Sequence, residues 1–232
     1  MIITLIILTA IVVGGVAFLG YQGYKGLHAS KRENRKEITS ESNSGSAITA
    51  DSSGDIADLT PDDADTAYIL IGDSRFVGMD LVCQINGTEN RFVVAKQGQG
   101  LDWFLKEGLP QAEQVEASNP QYTKWKWIIC LGVNDLWDAE KYIDEYSTLN
   151  NEHDITLVSV GPVGDEAKVT NEDIDAFNSA ISTFCTGNGI RFIDYNSTLK
   201  AEGFDTKDGL HYTSDTYKKI FDIIDTQMRY HK

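Results

Sequence analysis

The chain has 232 residues with 20 Lys and Arg against 35 Asp and Glu, a formal net charge of -15. From Ala67 onward there are still 15 basic to 26 acidic residues, so no nucleic acid partner is expected. Three cysteines, Cys83, Cys130 and Cys185, form no CxxC pair and have no histidine cluster beside them, so no metal is expected and thioredoxin-type chemistry lacks support.

Residues 1–24 read as a transmembrane anchor. From Ile2 to Leu19 every residue is apolar or small except Thr4 and Thr9, and the first charge is Lys25, so the run is long enough to span a bilayer. A cleaved signal peptide is the rival, but no basic segment precedes the run and no small-x-small site closes it. Residues 25–66 read as a basic juxtamembrane segment followed by an acidic linker. Lys25, Lys31, Arg32, Arg35 and Lys36 all lie after the span, which by the positive-inside rule draws the downstream domain into the cytoplasm. Glu37 to Thr66 argues the other way: it has no Lys or Arg and is rich in Ser, Thr, Asp and Gly, the composition of a solvated, disordered tether outside the cell. The expectation is a single N-terminal helix in the membrane and an extracytoplasmic domain.

Residues 67–232 carry alternating strand and helix signals. Ala67 to Gly72 is a short apolar strand, and Phe76 to Ile85 suits a helix. Arg91 to Ala95 is a second strand, leading into Lys96-Gln97-Gly98-Gln99-Gly100. Leu101 to Gly108 suits a short helix, while Leu109 to Thr123, interrupted by Pro110 and Pro120, reads as a surface excursion. Trp125 to Leu131 is a buried strand, Asp138 can cap a helix running to Leu149, and Asp154 to Val160 is a fourth strand stopped by Gly161-Pro162. An amphipathic helix from Glu172 to Thr186 carries Ile174, Phe177, Ile181 and Phe184 on one stripe. Ile190 to Tyr195 is a fifth strand, Ser197 to Ala201 a short helical turn, and Ser214 to Tyr230 a last helix. This order predicts a three-layer α/β/α sandwich around a mainly parallel five-stranded sheet. The cysteines read as small buried hydrophobes, with one disulfide and a leftover thiol as the alternative.

Candidate chemistry sits at the ends of these strands. Ser74 follows Gly72-Asp73 where a strand passes into a helix, at the edge of the sheet where open α/β folds place ligands. A Gly-Asp-Ser turn is by itself ordinary. A serine hydroxyl needs a base to become a nucleophile, and the base needs a partner to orient it, which Asp208 and His211, three residues apart, can supply. His28, His153 and His231 lie in polar or terminal stretches and read as solvated histidines. Gly98 and Gly100 allow close backbone approach or a plain turn, and Asn134 in Gly132-Val133-Asn134-Asp135 is either a site residue or a turn former.

In chain order, Gly72-Asp73-Ser74, Gly98-Gln99-Gly100, Gly132-Val133-Asn134-Asp135 and Asp208-Gly209-Leu210-His211 resemble the SGNH (GDSL-type) hydrolase family of esterases and lipases, over residues 67–232. A Gly-x-Ser-x-Gly elbow is absent, which separates the chain from α/β-hydrolases. The resemblance implies a triad of Ser74, Asp208 and His211, an oxyanion hole of Ser74, Gly100 and Asn134, and no cofactor. Arg75, Trp103 and Trp137 stand beside these motifs as possible substrate-binding residues, with core packing as the alternative for the tryptophans.

The expected activity is hydrolysis of short acyl, above all O-acetyl, esters on a cell-envelope or environmental carbohydrate. Polar residues around isolated tryptophans suit a sugar ring, with hydroxyls at its edge and an apolar face to stack. A lipase, lysophospholipase or thioesterase is the alternative. An O-acyltransferase using the same acyl-enzyme, or a membrane-tethered binding module that keeps the fold without the chemistry, also fits the motifs.

Overall fold

The computed structural model describes the short strand at Thr60–Pro61 and residues 64 to 231. The anchor expected at residues 1–24, the basic segment after it and most of the linker lie outside the described residues. Among the described residues no helix is long and apolar enough to cross a membrane.

After β1 (Thr60–Pro61) the chain runs through β2 (Thr66–Gly72), α1 (Ser74–Cys83) and β3 (Arg91–Ala95). It continues as α2 (Leu101–Trp103), a π-helical turn (Phe104–Gly108), α3 (Leu109–Ser118) and β4 (Lys124–Cys130). Next come a 3-10 turn (Leu136–Asp138), α4 (Ala139–Leu149), β5 (Asp154–Val158), α5 (Asn171–Asn188) and β6 (Arg191–Ile193). The chain ends with α6 (Tyr195–Glu202), α7 (Ser214–Arg229) and β7 (Tyr230–His231).

Five strands pair in parallel in the order β3-β2-β4-β5-β6. Every residue of β2 is buried, as expected of a central parallel strand covered on both faces. Its side chains alternate between two cores. Tyr68 and Leu70 join Ile128 and Cys130 of β4 against Phe76 and Met79 of α1, Leu199 of α6 and Tyr217, Ile220 and Ile224 of α7. Ile69 and Ile71, with Trp127 and Ile129, point the other way and are as fully buried. That second layer is tied together by ring contacts of Phe104 with Tyr146 and of Tyr142 with Phe177, which join the π-helical turn, α4 and α5. The strand order reverses at β2, because β3 lies on one side of it and β4 on the other, so a crevice opens at the carboxyl ends of these strands.

The differences from the sequence reading are local. Leu109 to Ser118 is a helix, not a surface excursion, because Pro110 falls in its first turn, where a missing N–H costs little. The π-helical turn before it lets the N–H of Leu109 reach back to the carbonyl of Phe104. Asp138 stands at the cap position of α4, but its side chain does not cap the helix and pairs with Lys141 at 2.8 Å. The ordered domain also begins before Ala67: Thr66 opens β2, and Thr60–Pro61 pairs antiparallel with Tyr230–His231. Polar residues hide such a strand, since a backbone ladder needs no apolar side chain. All three cysteines are free thiols, and burial pushes Cys130 and Cys185 up to about 12.

Candidate active site

Gly72 ends β2 with the carbonyl that accepts the Lys96 N–H, so the turns after β2 and β3 leave the sheet side by side. Asp73 caps α1 by accepting the Arg75 N–H at 2.9 Å, and Ser74 is the first helical residue, 7 % exposed. Its Oγ lies 3.0 Å from Nε2 of His211, and Nδ1 of His211 lies 2.7 Å from Asp208 Oδ2. The other Asp208 oxygen accepts the backbone N–H groups of His211 at 2.7 Å and Leu210 at 3.0 Å. These bonds, the His211 N–H first, hold the Asp208 carboxyl down to about 2, although the side chain is half-exposed. A proton on Nδ1 then serves Asp208 and leaves Nε2 to accept from the serine hydroxyl.

The loop that offers His211 is closed on itself. Lys207 donates its N–H to the His211 carbonyl at 2.7 Å, and Thr206 and Tyr212 form an isolated bridge across the loop. Gly209 takes φ +79 at its tip, with Ala167 packed where a Cβ would stand.

The two glycines after β3 differ in purpose. Gly98 has φ +66 and open space around it, so it is a turn former. Gly100 has an ordinary φ of -137, but a Cβ there would overlap the carboxylate of Asp135. That carboxylate accepts the Leu101 N–H at 2.8 Å and the Tyr142 hydroxyl at 2.7 Å, and burial raises its pKa. Asn134 donates one amide N–H to the Gln99 carbonyl at 2.8 Å, and an amide nitrogen carries a second. The turn holding Gly100 is thus fastened on both sides by consecutive residues after β4.

Of the three residues suggested for substrate contact, two turn inward. Arg75 is 3 % exposed: its guanidinium donates to the carbonyls of Gly161 at 2.6 Å, Leu210 at 3.3 Å and Pro162 at 3.4 Å, and lies over the Tyr212 ring. Trp103 is 4 % exposed and packs against Gly108. Both side chains turn toward the core from the first turn of their helices, which removes both from the mouth of the site. Trp137 is 77 % exposed and lines a cleft of about 530 Å³ together with Asn134, Lys168 and Asp208. Sequence reasoning missed Asp135 as a fastener and Lys168 as a wall of the cleft. The first could have been read from its place next to Asn134, whereas nothing local marks the second.

Chemically, a hydroxyl within reach of an imidazole, itself held by a carboxylate, can attack an acyl carbonyl. A description of GDSL-like lipases and acylhydrolases matches residues 45–224. The chain belongs to the GDSL-like lipase/acylhydrolase family. The SGNH resemblance read from the four motifs is therefore borne out. Other members share its fold at low identity. A lipolytic G-D-S-L family protein from Veillonella parvula aligns with TM-score 0.54 and 10% identity, covering 69% of this chain and 97% of that one. The lipase/acylhydrolase from Enterococcus faecalis aligns with TM-score 0.53 and 15% identity, covering 70% and 95%. A curated relative, the N-acylneuraminate cytidylyltransferase of Streptococcus agalactiae serotype V, is 24% identical over 163 residues, 65% of this chain and 36% of that protein. The chain thus spans about a third of the length of the curated relatives it matches.

Proposed function

We propose that this GDSL-family chain is a serine esterase that removes short acyl groups, above all acetyl, from a carbohydrate. The observation that carries the reading is the unbroken relay from Asp208 through His211 to Ser74 at the crevice of the sheet. His211 takes the hydroxyl proton as Ser74 attacks the ester carbonyl, and then gives a proton to the departing alcohol. Asp208 keeps the imidazole oriented and steadies its cation. Water repeats the sequence on the acyl-enzyme and releases the acid. The oxyanion is held by the N–H groups of Ser74 and Gly100 and the second amide N–H of Asn134, each donor contributing about 3 kcal/mol to the transition state.

Carbohydrate is favoured by the cleft beside Asp208 and Asn134, where one exposed indole stands near Asn134, Glu166, Lys168 and Asp208, with Val133, Ala167, Val169 and Leu210 completing the wall. The curated relatives are named for N-acylneuraminate, a sugar derivative, which also favours a carbohydrate. The chain is tethered to a membrane by residues 1–24, with its catalytic domain outside the cytoplasm. Ser74→Ala is expected to abolish both fluorophosphonate labelling and hydrolysis of aryl acetates while circular dichroism stays unchanged. Aryl esters from acetate to octanoate then test the acyl group: rate should fall steeply beyond butyrate, and a preference for octanoate would transfer the reading to a lipase or thioesterase.

A further inference from the structure

The cleft beside Asp208 and Asn134 does not end with the space one acylated sugar would fill. Beyond Trp137 a second hollow of about 420 Å³ opens, walled by Ala176 and Phe177 of α5. It shares Trp137, Lys168 and Val169 with the first. Each hollow alone lies within the range of about 300–1,000 Å³ usual for a small-ligand site. Trp137 stands at the partition on a short turn whose geometry is fixed from both sides. Leu136 before it is buried, and Asp138 after it holds Lys141. An indole left 77 % exposed on a fixed turn offers an apolar face that nothing in the described residues covers. Among the described residues the other large exposed hydrophobic, Leu81, lines neither hollow.

We propose that the second hollow is a binding subsite for a neighbouring sugar unit, so that the substrate is an acylated oligosaccharide or polysaccharide rather than a monosaccharide. The proposal rests on the esterase reading above. The acylated unit sits in the first hollow with its ester carbonyl at Ser74, and the chain passes over Trp137, which stacks against one ring face. The next unit lies along α5, where Lys168 and Asp173 can meet its hydroxyls. Lys168 is exposed and Asp173 lies in the first turn of α5, so both reach the hollow from its rim.

The test compares an O-acetylated monosaccharide with O-acetylated di- to tetrasaccharides of the same sugar, using the full chain, with phenyl acetate as a substrate too small to reach the second hollow. In the wild type, kcat/KM is expected to rise at least tenfold from the monosaccharide to the disaccharide or trisaccharide. Ala176→Phe fills the second hollow from an exposed helical position. It should erase that rise through KM while leaving phenyl acetate turnover and the melting temperature unchanged. Trp137→Ala removes the stacking face shared by both hollows and should also lower kcat/KM on the disaccharide and trisaccharide. Equal kcat/KM across the sugar series, or a rise that survives Ala176→Phe, would overturn the subsite and leave the esterase reading standing. Turnover of phenyl acetate with none of the acetylated sugars would instead overturn the carbohydrate reading itself.

Discussion

Arg75 carries a permanent charge into a place that water hardly reaches, where its guanidinium donates to carbonyl oxygens and lies over a tyrosine ring. Its neighbour in sequence is Ser74, while its partners Leu210 and Tyr212 flank His211 on both sides. One side chain therefore ties the residue after the hydroxyl to the residues around the imidazole. Arg75→Met is expected to lower kcat on aryl acetates at least tenfold with KM little changed, and to cost about 3 kcal/mol of stability by freeing buried carbonyls. Arg75→Lys should recover part of kcat, because an ammonium keeps the charge but cannot reach three acceptors at once. Kinetics and thermal unfolding read the two effects separately. The sequence shows an arginine beside the serine. Whether it faces substrate or core depends on Gly161 and Pro162, some 86 residues away, so its inward turn was not legible. Asp73 supplies a second test. Burial, partly offset by Arg75, raises its carboxyl to about 6. The folded state then holds a proton that the unfolded chain has released between about pH 4 and 6, so stability falls as pH rises through that window, by about 3 kcal/mol in all. Asp73→Asn keeps an acceptor for the Arg75 N–H and should flatten this part of the stability profile, measured by urea unfolding at pH 4, 5, 6 and 7.

The turn from Gly98 to Gly100 is an element without a regular structure of its own, shaped by the residues just after β4. Asp135 takes the Leu101 N–H and fills the space where a Gly100 side chain would stand, while Asn134 holds the Gln99 carbonyl. Gly100→Ala is expected to push this turn off the carboxylate and reduce kcat about 10² to 10³-fold with the fold retained, the loss typical of one oxyanion donor. Asp135→Asn keeps the shape but can turn an N–H toward the Leu101 N–H, so an intermediate loss is expected in the same assay. The strands were the most legible elements. Arg91 to Ala95 needed no adjustment, and β2 and β4 shifted by a single residue, because each carries a short apolar run, Phe92 to Ala95, Ala67 to Ile71 and Trp127 to Cys130. Helix α3 was not legible, since a proline in a first helical turn and a proline that breaks a helix look alike until the turn before it is known. Three of the motifs were legible because each follows a strand, and the fourth, Asp208 to His211, because its Asp-x-x-His spacing stands just before the last helix. The contacts between them were not, since they depend on register across the sheet.

On the scale of the whole molecule, residues 1–24 share no motif with the domain, and their deletion is expected to leave kcat on aryl acetates unchanged while raising solubility. Protease cleavage between residues 37 and 59 on intact cells is the expected sign that the domain lies outside, and protection of that stretch would place it within. The pairing of Thr60–Pro61 with Tyr230–His231 bears on how such a domain can be carried. Thr66 opens β2 and Gly72 closes it, so the chain enters roughly 20 Å from Ser74, at the opposite pole of the sheet. The last helix starts three residues after His211 and runs back to that same pole, where its end meets the beginning. Entrance and exit therefore form one stem, with the reactive face looking away from it. A unit of this shape can be mounted on a surface, or spliced into a host loop between two flexible joints, without turning its mouth toward the support.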